Sequence, residues 1–133
     1  MRMVVIGCGR IGSVLANHFS EAGHDVVVLD RSQDAFRRLS ENFSGERRVG
    51  NGLVEEYVHP ILEKETDVLF VMTEKDNVNL MIGQWAKQKF GIKRVIAEVH
   101  DAILAGLYKE MGLETVCPAE LVLRNLLEVF QEE

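Results

Sequence analysis

Residues 5–14 read VIGCGRIGSV. A β-branched run stops at Gly7, and glycines then stand at the spacing G-x-G-x-x-G (Gly7, Gly9, Gly12) as apolar residues return at helical intervals from Ile11. Glycines so spaced serve either a tight turn or a cradle for a phosphate, and context decides between them. Here the motif follows a strand-like MVVI (3–6) and opens a helical pattern. It precedes a second strand-like run, VVVL (26–29), which ends in Asp30, eighteen positions after Gly12. Strand, glycine turn, helix, strand and terminal acid are the parts of a nucleotide-binding βαβ unit.

Each residue has a physical role in that reading. Gly7 permits the turn, Gly9 lets backbone approach a phosphate without a Cβ in the way, and Gly12 lets the helix sit close to the sheet. Free N–H groups near Arg10 and Ile11, at the positive helix end, supply an anion site. Asp30 accepts hydrogen bonds from ribose hydroxyls. Its charge repels a 2′-phosphate, so NAD or a plain adenine nucleotide is expected before NADP. The flat guanidinium of Arg31 suits stacking on an adenine ring, with a 2′-phosphate contact or a solvated charge as alternatives. Arg10 has three readings: contact with a terminal phosphate, contact with a neighbouring subunit, or a surface position.

The same punctuation continues along the chain. VLFV (68–71) and RVIAEV (94–99) join the first two runs as β-branched segments with little polar alternation, the pattern of strands buried on both faces of a parallel sheet. ERRV (46–49) and LETVC (113–117) read as shorter strands. Helical stripes lie between: Ile11, Val14, Leu15, His18, Phe19 and Ala22 in one, and Val78, Met81, Ile82, Trp85, Ala86 and Lys89 in another. Ser32 is a candidate cap for a helix carrying Phe36, Leu39 and Phe43. Gly23, Gly91 and Gly112 stand where left-handed C-caps belong. Strands alternating with helices predict an α/β fold, a Rossmann-like doubly wound parallel sheet with strand order 3-2-1-4-5-6.

Composition narrows the function classes. The 133 residues suit one domain, and a 47% hydrophobic content is that of a globular chain. A formal net charge of −6 argues against nonspecific binding to nucleic acid or to an anionic membrane surface. Cys8 and Cys117 lack metal-ligand spacing. With no apolar run of membrane-spanning length and no signal-peptide pattern, the expected location is cytoplasmic.

The chain resembles the nucleotide-binding lobe of TrkA-type regulators of potassium uptake, the RCK or KTN domains, over nearly its whole length. VVIGCGRIGSVLANHFSEAGHDVVVLDRS is similar to the family's glycine loop, first helix and acidic second strand. VGNG (49–52) resembles its G-D-[AG] turn, and VMTEKDNVNL (71–80) its T-x-x-D-x-x-N segment. FGIKRVIAEV (90–99) resembles the fifth-strand segment, and MGLETVCPAEL (111–121) the sixth strand with a Pro-started final helix. The resemblance implies that Gly7, Gly9, Arg10, Ile11 and Gly12 hold phosphates and Asp30 the ribose. It implies that Arg31, Asn51 and Thr73 line the adenosine and ribose side. Asn51 replaces the family's usual aspartate, and Glu98 stands where many members carry arginine. No metal site is carried over, because Met72 and His100 do not complete the carboxylate set of cation-gated members.

The same resemblance implies a regulatory role. It points to a single domain over residues 1–133 without the family's C-terminal ligand-sensing lobe. It would bind NAD(H) or ATP/ADP/AMP and act as a cytoplasmic regulatory subunit beneath a membrane potassium transporter or channel. Dimers assembled into a ring are implied, and a companion subunit that carries the second lobe is a further expected partner. The last helix agrees, because Leu121, Val122, Leu123, Leu126, Leu127, Val129 and Phe130 exceed the single apolar stripe a lone surface helix needs.

The alternative is a small NAD-dependent oxidoreductase or a redox sensor. A dehydrogenase needs a general acid or base near the nicotinamide. The histidines offer little: His18 reads as facing inward on the first helix, His24 as a turn residue, and His59, before Pro60, as a loop residue. Cys8 at a helix N-terminus is a candidate for a lowered thiol pKa, against the plainer reading of a small packing residue. Cys117 before Pro118 reads as strand-end packing. His100 with Asp101 and Glu98 invites a zinc reading that no H-x-x-x-H or cysteine pair supports.

Overall fold

The computed structural model describes residues 1–131. Six strands, β1 (Arg2–Ile6), β2 (Asp25–Asp30), β3 (Glu46–Val49), β4 (Val68–Val71), β5 (Arg94–Glu98) and β6 (Glu114–Val116), form one sheet. The helices are α1 (Arg10–Glu21), α2 (Glu55–Leu62), α3 (Asp76–Phe90), α4 (Ala102–Glu110) and α5 (Pro118–Val129), with a 3-10 turn at Gln33–Arg38. Strand order is β3-β2-β1-β4-β5-β6 and each pairing is parallel, as the alternating pattern predicts.

Central strands carry the core. Val4, Val5, Val26, Val27, Val28, Leu69 and Val71 are at most 1% exposed, and burying each such side chain contributes roughly 1.5–3 kcal/mol. Alternate residues feed the two faces. Val4, Ile6, Val27, Leu29 and Leu69 pack with Val58, Ile61, Ile82, Ala86 and Tyr108 from α2, α3 and α4. Met3, Val5, Val26, Val28 and Phe70 pack with Ala16 of α1 and with Leu39 and Phe43. Gly23, Gly91 and Gly112 have φ of 91°, 63° and 85°, as expected after helix ends.

Register positions the functional end. Ile6 pairs with Leu29 of β2 and with Val71 of β4, so the three strands finish level. The chain runs outward from β1 to β3 and then returns to β4 on the other side of β1. The crevice above β1 and β4 is therefore the topological switch point, where such sheets bind ligands.

Several local expectations are corrected. The fully buried residues of α1 are Gly12, Ser13, Ala16 and Ser20, and Leu15 and Phe19 of the expected stripe pack partly buried against the same core, while Ile11, Val14 and His18 are exposed. At its start α1 approaches the glycine loop too closely for any side chain: a Cβ on Gly12 would stand 1.9 Å from the Gly7 carbonyl oxygen. In α3 the buried set is Asn79, Ile82, Gly83 and Ala86, and Met81 turns outward. His59 and Pro60 lie in α2, which Val58, Ile61 and Leu62 anchor to the core. Ser32 precedes the 3-10 turn but its side chain makes no capping bond, and its own N–H donates to Asp30 Oδ1 at 2.8 Å. The 3-10 turn stops at Arg38, so Leu39 and Phe43 enter the core from the segment beyond it.

The final helix begins at Pro118 as expected, and none of its residues is buried. Leu126, Leu127, Val129 and Phe130 are 59–80% exposed. No helix among the described residues is long and apolar enough to cross a membrane.

Candidate nucleotide site

A cavity of about 420 Å³ opens over the C-terminal ends of β1, β2 and β4. Gly7, Cys8 and Gly9 form its middle. Asp30, Arg31, Ala35 and Arg38 lie on the β2 side, Gly50–Leu53 form a rim, and Met72–Lys75 form the opposite wall.

The glycine loop is shaped by close approaches. Gly7 has φ of 104°, a conformation that L side chains rarely adopt, and a Cβ there would stand 2.5 Å from the Met72 carbonyl oxygen. Its N–H extends the sheet by donating to the Leu29 carbonyl at 2.8 Å. Gly9 differs: a Cβ there would meet no atom within 4 Å, so the space above it is open. Gly9 is also the N-cap of α1 and provides no capping side chain. The first-turn N–H groups of a helix lack internal acceptors and favour an anion. The hollow above Gly9 and these donors together fit a phosphate.

Asp30 fastens this loop. Its Oδ2 accepts the Cys8 N–H at 2.8 Å and its Oδ1 accepts the Ser32 N–H at 2.8 Å. A carboxylate oxygen has a second lone pair, so both can still accept a ribose hydroxyl. Arg38 also lines the cavity and is fixed through its backbone: Asn17 Nδ2 of α1 donates to its carbonyl at 3.3 Å, and Asn17 Oδ1 accepts the Ser40 N–H at 2.8 Å. At the rim, Asn51 Oδ1 accepts the Leu53 N–H at 2.9 Å, so its carboxamide oxygen closes its own turn.

The opposite wall hangs on Asn79, which is fully buried. Its Oδ1 accepts from the Thr73 N–H at 3.1 Å and from the Thr73 hydroxyl. Its Nδ2 donates to the carbonyls of Thr73 at 3.0 Å and Glu98 at 2.8 Å. One side chain thereby ties the ends of β4 and β5 together and fixes Thr73 at the cavity.

Behind this wall, His100 bridges two carboxylates, with Nδ1 2.8 Å from Asp76 Oδ1 and Nε2 2.8 Å from Glu98 Oε2. The Asp76 hydrogen bond, opposed by burial and aided by the Glu98 charge, raises the His100 pKa. Burial works against the charge on Asp76, but the N–H groups of His100 and Asp101 and the His100 ring hold its pKa below the ordinary value. Burial raises that of Glu98 despite His100. Glu98 is outside the cavity lining, so an arginine's phosphate contact has no counterpart here. Among the described residues no cluster of His, Cys, Asp and Glu suits a metal ion.

Gly7, Gly9, Asp30, Arg31, Asn51 and Thr73 all line the cavity. Arg10 and Ile11 do not, and both are exposed; what they bring to its edge is backbone at the start of α1. Gly12 lies beneath the loop, against Gly7. Of the two readings of Cys8 the small packing residue holds: its side chain is buried in the core, and burial, joined by the Asp30 charge, pushes its pKa up to about 11 against Arg38 and Arg47, not down. Sequence reasoning missed Arg38, which follows no periodic signal, and Lys75, which sits inside the quoted VMTEKDNVNL segment.

Comparison with known proteins agrees with this architecture. The Trk system potassium uptake protein TrkA of Streptomyces coelicolor is 34% identical over 131 residues, covering 96% of this chain and 59% of that protein. The chain spans about three fifths of the length of the curated relatives it matches first. The TrkA-N domain of the Escherichia coli inner membrane protein ybaL superimposes with a TM-score of 0.86 at 21% identity, covering 98% of this chain and 96% of that one. The AMP-bound Kef CTD of Shewanella denitrificans gives 0.78 at 17% identity, covering 99% and 84%. GsuK bound to ADP gives 0.79 at 19%, covering 98% and 34%. At these identities the structural likenesses speak for the fold alone. A family profile described as the TrkA-N domain matches residues 3–118, and with the sequence relatives it establishes that this chain belongs to the TrkA-N domain family.

Proposed function

We infer that the cavity binds an adenine nucleotide, NAD(H) or ATP/ADP/AMP, and that the domain is a regulatory module of potassium uptake. The observation that carries the reading is the open space above Gly9 with the Asp30 carboxylate beside it. Phosphates sit over Gly9 and the first turn of α1, the ribose sits on Asp30, and Arg31, Asn51 and Thr73 line the adenosine and ribose side. The nucleotide-bound forms among the structural likenesses (AMP in Kef, ADP in GsuK) and the potassium-uptake names of the relatives support it.

Regulation requires that the nucleotide bind two subunit arrangements with different affinity. The exposed apolar residues of α5 support packing against a second copy, in a dimer or a ring. Such an assembly acts at the cytoplasmic face of the membrane through a potassium transporter or channel, with a companion regulatory subunit as a further partner.

The test is titration of the protein with NAD, NADH, ATP, ADP and AMP beside Gly9→Val and Asp30→Ala variants. Both variants are expected to bind more weakly, and unchanged binding in both sinks the site assignment. Turnover of NADH with carbonyl substrates would favour an oxidoreductase instead.

A further inference from the structure

The cavity orders its polar groups across the sheet, and this order gives Lys75 a role that rests on the nucleotide reading above. Asp30 ends β2, the Gly7–Gly9 loop follows β1, and Thr73–Lys75 follow β4, which are three consecutive strands in the sheet. Neighbouring strands lie roughly 5 Å apart. A nucleotide with its ribose on Asp30 and its first phosphate over Gly9 therefore carries any second phosphate toward the wall above β4.

Lys75 stands on that wall. It is the N-cap of α3 and makes no capping bond through its side chain. Lysine is a poor choice there, because it cannot accept the first-turn N–H groups and adds positive charge to the positive helix end. Among the described residues its ammonium has no carboxylate within ion-pairing distance, whereas Lys89 at the other end of the same helix pairs with Glu55. Glu74 lines the same wall, and its charge also reaches Glu98 behind it. A cation unfavourable for the helix, exposed on a cavity wall and lacking a carboxylate partner, is complementary to an anion in that cavity.

We propose that Lys75 makes the site select nucleotides with charge beyond the first phosphate, so that the adenosine diphosphate group is preferred to AMP. Free ADP and the diphosphate of NAD share this chemistry.

Calorimetric titration of the wild-type protein and Lys75→Gln with ADP, NAD and AMP, at low and high salt, tests it. The wild type should prefer ADP to AMP by about tenfold, the scale of one charge-assisted hydrogen bond, and less so in high salt. Lys75→Gln should lose most of that preference while its AMP affinity changes by less than about twofold, since an exposed side chain has little structural role. Its unliganded melting temperature should not fall. Equal losses for ADP and NAD assign Lys75 to the shared diphosphate, and a loss for ADP alone assigns it to a terminal phosphate. An unchanged ADP-to-AMP ratio in the variant, or equal weakening of both ligands, overturns the proposal while leaving the nucleotide site standing. No binding of any of the three to the wild type removes the site and the proposal together.

Discussion

His100 Nε2 lies 2.8 Å from Oε2 of Glu98, whose side chain is only 10% exposed and set behind the cavity wall. The opposite ring nitrogen is held by Asp76, so a single imidazole joins the end of β5 to the start of α3. Tyr108 donates its hydroxyl to the Asp76 carbonyl from α4, and Cys117 Sγ lies 3.8 Å from the His100 carbonyl oxygen.

This bridge makes stability depend on pH. The folded-state pKa of His100 is raised, so its contribution is complete below the ordinary value of about 6.5 and is lost as pH rises through the folded value. The raised pKa of Glu98 acts in the same direction, with stability falling as pH climbs above the ordinary carboxylate range. Asp76 is opposite in sign, since its depressed pKa gives stability that is lost on acidification. Urea unfolding between about pH 5 and 9 should show stability declining toward the alkaline side, and His100→Gln should flatten that decline. A wild-type curve already flat over this range would contradict the bridge.

Gly9 and Gly12 should respond oppositely to the same substitution. Gly12→Ala drives a Cβ to 1.9 Å from the Gly7 oxygen and should cost roughly 1–3 kcal/mol or more. Gly9→Ala enters open space at φ −82° and should alter stability by less than about 0.5 kcal/mol while weakening nucleotide binding. Thermal melts with and without ADP check both halves.

Asn79→Ala should be among the more damaging changes to the cavity wall. It leaves the Thr73 N–H and the Glu98 carbonyl without their partner. Each buried group left so costs about 1–3 kcal/mol. Chemical denaturation would read the loss, and hydrogen exchange should show faster exchange at the Thr73 amide.

Cys8 should be slow to alkylate. With its pKa pushed up to about 11, only about one thiol in a thousand is ionised at pH 8. Iodoacetamide should label it on the timescale of unfolding, and rapid labelling of the native protein would contradict the burial.

The apolar residues of α5 should matter for assembly and little for the fold. Leu126→Asp with Leu127→Asp removes no buried contact, since the two side chains are 59% and 63% exposed. Light scattering should show the variant at lower mass than the wild type, with a cooperative melting transition that no longer depends on protomer concentration.

Much of the fold was legible in the sequence, and the reason is local. VVVL and VLFV declare strands buried on two faces, and GCGRIG declares a turn followed by a helix. The phase of α1 was not legible: an apolar stripe through Ile11 and Val14 looks like an inner face until Gly12 is seen against Gly7. Asn79 and Glu98 are nineteen residues apart, and their bond depends on β4 and β5 being neighbours. Arg38 lines the cavity from beyond β2, and the Asn17 carboxamide that bonds its carbonyl comes from another element.

Asp30 carries one further consequence. The carboxylate that would read the ribose also latches the glycine loop through the Cys8 N–H. With the ribose placed as proposed, ligand choice and loop integrity would share one side chain. An attempt to retune this pocket for a 2′-phosphate by replacing Asp30 would release the loop at the same stroke, unless the new residue returned an acceptor to Cys8. On the nucleotide reading proposed above, a change of ligand preference at Asp30 has to be made together with a repair of the loop.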